Sequence, residues 1–202
     1  MSELRVALTF DAEHPSRAAN DPDAPEAILD ALGAADVRGT FFVQGRWASA
    51  YPDVARRMAS DGHLIGNHSH YHARLSLLSP AGVRADVEAA GRRITEVTGV
   101  DPKPWFRCPF GDGAERPEVR EALRALGYRN VDWNVDSGDW CDGASPEGVR
   151  ATVVDGAQGI EDGSVMVLFH TWTGATARSL PAILADLRSD GASFVTAAEV
   201  LW

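Results

Sequence analysis

Two histidines four residues apart, His68 and His72, are the pair in this 202-residue chain best suited to hold a metal ion. If the chain is helical there, residues at that spacing share a face and both imidazoles can reach one cation. A polar, His-rich surface turn is the plainer reading of the same stretch. Asp11 and Glu13 flank a single alanine further upstream. One carboxylate can complete a two-His, one-carboxylate site while the other serves as base to a bound water; both can equally be turn residues after a strand. His14 is a weaker alternative ligand. Arg107 can fix the base through a charge-assisted bond, or form an ordinary surface ion pair. His170 ends an apolar run and is either a satisfied core imidazole or a general acid. Asp139, as its partner, would raise its pKa and set its tautomer. His70 points elsewhere, and His63 opens a strand on the opposite edge and is structural. Cys108 and Cys141 lack metal-ligand spacing and receive no role.

These residues need a scaffold that gathers them. Leu4, Val6, Leu8 and Phe10 alternate at period two, which predicts a first strand ending at Asp11. Short strand-like runs follow at Thr40 to Val43, Leu64 to Asn67, Trp105 to Arg107, Val131 to Val135, Val165 to Phe169 and Phe194 to Thr196. Helical spacing lies between them. The clearest case opens at Ser79-Pro80 and stops at Gly99, with Val83, Val87, Ala90, Ile94 and Val97 on one stripe. Similar patterns follow Pro52, Pro117 and Ser145, and another covers Leu180 to Leu187.

Strand and helix alternating at this pace predict parallel strands joined by crossovers. About seven units fit either an open doubly wound sheet or a short, irregular (β/α) barrel. Both bind ligands at the carboxyl ends of the strands. The candidates fall there: Asp11 and Glu13 after the first strand, His68 and His72 after the third, Arg107 after the fourth, Asp136 and Asp139 after the fifth, His170 after the sixth.

Hydrophobic residues at 45 % and charged residues at 24 % are ordinary for a globular chain, and no repeat or long linker divides it, so residues 1–202 are expected to form a single domain. Nineteen basic against 29 acidic residues leave no electrostatic footprint for nucleic acid. No apolar run approaches the roughly 18 residues of a membrane span. Met1-Ser2-Glu3 lead straight into a strand pattern without a cationic-then-apolar leader, so the chain as written is expected in the cytosol, a trimmed secreted form being the alternative.

In five segments the chain resembles the polysaccharide deacetylases that share the NodB homology domain, carbohydrate esterase family four. They are Thr9-Phe10-Asp11, Asn67-His68-Ser69 through His72, Arg107-Cys108-Pro109-Phe110, Asp136-Ser137-Gly138-Asp139-Trp140 and Leu168-Phe169-His170, in the family's order. The resemblance covers nearly the whole chain. It implies a distorted, incomplete (β/α) barrel and one divalent metal ion, zinc first, with cobalt or nickel as alternatives. Many members carry two adjacent aspartates in the first motif, the first as base and the second as ligand. Here the second position is Ala12, and Asp11-Ala12-Glu13 is similar to relatives that space the acids by one residue.

The resemblance then implies Glu13, His68 and His72 on the metal, or Asp11 itself as the carboxylate ligand. With Glu13 as ligand, Asp11 is the base, oriented by Arg107, and His170 paired with Asp139 protonates a leaving amine. The backbone N–H of Phe110 would stabilise the oxyanion, and Trp140 with Leu168 would wall the acetyl methyl. The expected activity is removal of acetyl groups from an N- or O-acetylated carbohydrate. The alternatives are hydrolysis of a small N-acyl or cyclic amide, differing in the rim loops Pro15 to Pro25, Gly111 to Arg116 and Trp172 to Thr176, and a non-catalytic carbohydrate-binding protein. A two-carboxylate glycosidase leaves the His pair unexplained. Trp105 and Trp133 lie in predicted strands and are expected in the core.

Overall fold

Strand β1 (Arg5–Ala12) carries the fold, with every residue from Val6 to Ala12 buried. The computed structural model describes residues 4–14, 20–160 and 163–201. Residues 15–19 of the expected rim segment lie outside the described residues. Around β1 the sheet adds β2 (Thr40–Val43), β3 (Leu64–Asn67), β4 (Trp105–Phe106), β5 (Arg129–Asn130), β6 (Val135–Asp136), β7 (Ser164–His170) and β8 (Ser193–Val195). Seven strands follow the order β5-β4-β3-β2-β1-β7-β6, and every pairing is parallel. β8 joins the N-terminal half of β1, at Arg5 to Ala7, while β2 takes the C-terminal half, at Thr9 to Ala12. The fold is the distorted, incomplete barrel expected from the sequence.

Helices α1 (Ala24–Ala34), α2 (Gly45–Ala50), α3 (Pro52–Ser60), α4 (Pro80–Thr98), α5 (Pro117–Ala125), α6 (Pro146–Gln158), α7 (Gly174–Ser189) and α8 (Ala197–Leu201) complete the chain. Helix α4 starts and stops as its sequence dictates. The Ser79 hydroxyl accepts the Gly82 N–H, and Gly99 ends the helix at φ 75°. Val83, Asp86, Val87, Ala90 and Ile94 are its buried residues, an acid among apolar neighbours. Among the described residues, no helix is long and apolar enough to cross a membrane.

The two faces of the barrel strands differ in chemistry because successive side chains alternate. On the helix-facing side, Phe10 is in register with Phe41 and Phe169, and its ring stacks between theirs at 4.9 and 5.3 Å. One residue further along, the register pairs Asp11 with His170. Side chains of paired residues in parallel strands share a face, so pairing alone brings this acid and this imidazole to the barrel interior.

The expected strand Val131 to Val135 is instead two short strands on different edges, β5 ending at Asn130 and β6 starting at Val135. A buried side chain takes the carbonyls between them: Arg107 donates from Nε to Val131 at 3.1 Å and from Nη2 to Asp132 at 3.4 Å. Among the described strands, β5 and β6 are the two ends of the path, so the segment that Arg107 holds is the one that crosses the opening of the barrel. Trp133 lies in this opening, half-buried, rather than in the core; Trp105 is buried as expected.

Candidate metal centre and active site

His68 and His72 do converge, but not on a helix. The loop after β3 carries Ser69 at φ 63° and His72 at φ 57°, so the helical spacing expected from the sequence is corrected to a turn. Side chains hold that turn in place of a backbone ladder. Asn67 accepts the Ser69 N–H at 2.8 Å and donates to the Val87 carbonyl of α4 at 3.0 Å. Asp86 of α4 accepts the N–H groups of His70 and Tyr71 at 2.9 and 3.1 Å, and Ser69 Oγ accepts the His72 N–H at 2.9 Å. The two ring Nε2 atoms end 3.2 Å apart.

Glu13, one residue beyond β1, points Oε2 at both rings. It lies 3.3 Å from His68 Nε2 and in contact with His72 Nε2. One ligand atom from each of Glu13, His68 and His72 lies within 4.8 Å of the others. Asp11 is turned differently. Its Oδ1 receives Arg107 Nη1 at 3.0 Å, and its Oδ2 lies 3.4 Å from His68 Nε2. The two acids that the sequence left interchangeable are thus distinguished: Glu13 meets both imidazoles, and Asp11 meets one imidazole and the guanidinium. His14 stays outside the triad, its N–H on Gln44 and its ring 5.9 Å from Tyr51. His63 is structural, its Nδ1 accepting the Gly39 N–H at 3.1 Å.

The charges suit this arrangement. Burial pushes the Glu13 carboxyl up, but His68, His72 and His170 outweigh it and hold the group well below the usual carboxylate range. Arg107 is fully buried, its charge shared by Asp11 and by the face of Phe42, 4.2 Å from the guanidinium.

His170 Nδ1 lies 2.8 Å from Asp139 Oδ1, while Asp139 Oδ2 accepts the His170 main-chain N–H at 2.8 Å and the hydroxyls of Thr173 and Thr176 at 3.1 and 2.5 Å. Burial pushes the Asp139 carboxyl up, but the His170 charge and these donors prevail and lower it. Burial likewise disfavours the imidazolium. The Asp139 charge and hydrogen bond, helped by Glu13 and Asp11, reverse that and raise His170 to about 9. The hydroxyls of Thr173 and Thr176 belong to the start of α7, where Thr173 caps the helix; the segment expected to be a rim loop instead supports Asp139.

One cavity of about 450 Å³ joins these groups. Asp11, Glu13, His72 and His170 line it, and Phe110, Trp133, Trp140, Leu168 and Trp172 wall it. The expected Phe110, Trp140 and Leu168 are therefore all on the cavity, and Trp133 and Trp172 join them. Phe110 sits at φ 59°, its ring 4.4 Å from that of His72 and beneath the Arg74 guanidinium at 4.6 Å. Cys108 is buried, its thiol pushed up to about 12, and Cys141 is exposed; both are free. Neither lines the cavity.

A family model described as polysaccharide deacetylase matches residues 1–131, well over half of the chain. The chain belongs to the polysaccharide deacetylase family. Curated members similar to it include a Bacillus cereus peptidoglycan-N-acetylglucosamine deacetylase, 30 % identical over 96 % of this chain and 67 % of the relative. A Bacillus subtilis peptidoglycan-N-acetylmuramic acid deacetylase is 28 % identical over 95 % of this chain and 69 % of the relative. Among solved structures, a carbohydrate esterase family four pseudoenzyme from Bacillus anthracis superposes with TM-score 0.86 at 26 % identity, over 100 % of this chain and 66 % of that one. A family 4 carbohydrate esterase from Streptomyces lividans, in complex with acetate, gives TM-score 0.81 at 26 % identity, over 95 % and 91 %.

The triad of this member of the polysaccharide deacetylase family fits a divalent metal by its own chemistry. Two imidazoles and one carboxylate are a donor set that zinc accepts, with room left for a water or substrate. His68 Nδ1 lies 2.9 Å from the Arg107 carbonyl; with the proton there, the Nε2 lone pair is free for a cation. Two facing Nε2 atoms at 3.2 Å with a carboxylate beside them are better explained by a shared cation than by a hydrogen bond.

Proposed function

We propose that the chain is a metal-dependent hydrolase that removes the acetyl group from an N-acetylated carbohydrate, with Glu13, His68 and His72 as ligands and zinc as the metal. One observation carries this reading: Asp11 of the acid–guanidinium pair, Glu13 and His72 of the three-donor cluster and His170 of the imidazole–carboxylate pair all line a single cavity. The relatives that act on peptidoglycan sugars support the substrate class.

A bound zinc ion supplies Lewis acidity toward the acyl carbonyl and a water of lowered pKa. The rest falls to the chain. Asp11, its Oδ1 held by Arg107, takes the proton of the attacking water at Oδ2. The turn at Phe110 offers a backbone N–H to the oxyanion. His170 is protonated on Nδ1 toward Asp139, so its Nε2–H can pass to the leaving nitrogen. An amine leaves poorly without that proton, which favours N-acetyl over O-acetyl substrates. Trp140, Leu168 and Trp172 exclude water and leave room for a small acyl group.

The likeness to a pseudoenzyme, and Ala12 in place of a second aspartate, favour a second reading as a non-catalytic carbohydrate-binding protein. Acetate release from chitooligosaccharide, peptidoglycan fragments and acetylxylan, measured with and without added zinc, separates the two. Zinc-dependent release from an N-acetylated substrate supports the hydrolase. Sugar binding without release by zinc-loaded protein supports the binding protein.

A further inference from the structure

We propose that Trp172 is a positioning residue for the metal carboxylate, fixing Glu13 so that a single oxygen faces the cation; this rests on the hydrolase reading above. The two oxygens of Glu13 have different surroundings. Oε2 faces His68 and His72, whereas Oε1 lies 3.3 Å from the indole Nε1 of Trp172. An indole N–H only donates, so it satisfies Oε1 and cannot compete for the metal.

The indole is itself held firmly. Thr171 donates its N–H to the Asp11 carbonyl at 3.1 Å, and the Trp172 carbonyl accepts the Asp21 N–H at 3.0 Å. Thr173 then caps α7, and the buried indole packs against the His170 ring at 5.6 Å.

The need for such a partner follows from chain position. Asp11 lies within the β1 ladder, but Glu13 stands beyond it on a longer side chain with one more rotatable bond. A carboxylate carried two residues after the base must be steered back to the histidines, and a rigid donor behind it does so. His68 has the corresponding support in the Arg107 carbonyl, so each of these two ligands is backed by one hydrogen-bond partner from another strand end.

The test is zinc affinity, read by competition with a chelating dye on chelator-stripped protein. Trp172→Phe keeps the ring and loses the donor; it should bind zinc about 10- to 100-fold more weakly than wild type, the usual cost of removing such a partner. Trp133→Phe, on the Arg107 side of the cavity, should bind as wild type does. Tight binding by Trp172→Phe, or an equal loss in Trp133→Phe, would overturn the assignment. Should Trp172→Phe not fold, the indole Nε1–H resonance of ¹⁵N-labelled wild type decides: it must shift on adding zinc, and an unmoved resonance overturns the proposal. Wild type that takes no zinc at all would overturn the hydrolase reading as well, whereas zinc-dependent turnover with undiminished affinity in Trp172→Phe sinks the Trp172 role alone.

Discussion

His170 and Asp139 are joined twice, ring nitrogen to one carboxylate oxygen and main-chain N–H to the other, both at 2.8 Å. The acid therefore fixes where the imidazole sits as well as how firmly it keeps its proton. Since the Asp139 charge and hydrogen bond raise His170, kcat/KM on an N-acetyl substrate should fall with an alkaline limb that lies above the ordinary imidazole range. Asp139→Asn removes the stabilising charge, so the limb should move to lower pH. An unmoved limb would assign it to another group.

His170→Ala should lose about 10²- to 10⁴-fold on amide substrates, the range expected for a general acid. Activated aryl acetates, whose leaving groups need no proton, should lose far less. Equal losses on both would make the histidine structural. A stability effect accompanies it in the metal-free protein. The folded pKa lies above the ordinary 6.5, so the contribution is complete below about pH 6.5 and is lost as pH rises through about 9. The melting deficit of Asp139→Asn should accordingly be larger in acid than in alkali.

Asp11→Asn should retain zinc and lose about 10²- to 10⁴-fold in deacetylation, as removal of a general base does. Metal analysis beside kcat/KM checks it; near-native turnover would reassign the base. Arg107→Ala strips the buried Asp11 of its guanidinium partner and should cost about 3–5 kcal/mol in urea unfolding.

Chelation should abolish acetate release and lower the melting temperature, because a ligand that binds only the folded state at about 100 times its Kd stabilises by about 2.7 kcal/mol. Readded zinc should restore both. Glu13→Ala should lose the zinc-dependent part of the melting temperature; a full response in that variant would remove Glu13 from the ligand set.

Asp86→Ala should destabilise by about 1–3 kcal/mol, since the N–H groups of His70 and Tyr71 lose their acceptor. Zinc affinity should fall with it, because the same carboxylate shapes the loop that carries both histidines. Unchanged affinity would show that Asn67 and Ser69 hold the loop unaided.

Much of this was legible in the chain because strand alternation is a strong local signal. Val6, Leu8 and Phe10 marked β1, and the strand-end rule then placed Asp11, His68, Arg107, Asp139 and His170 on one face. What escaped depended on partners distant in sequence. The turn at Ser69 and His72 is held from α4 by Asp86, 16 residues beyond His70, and the break at Val131 to Asn134 by a guanidinium 24 residues upstream of Val131. Asp86 did leave a trace, as an acid on the apolar stripe of α4. Trp172 left only its place two residues after His170, and nothing local revealed that it would meet Glu13.

The Arg107 side chain holds the segment that crosses the unclosed edge of the sheet and grips Asp11 with the same planar group. Architecture and reactivity consequently share one atom cluster and cannot be tuned apart. A substitution that relaxes the seam also misaims the carboxylate, and one that frees the carboxylate strands a cation inside the seam. On the hydrolase reading, variation that broadens the range of accepted substrates is therefore channelled to the outer loops, where neither cost is incurred.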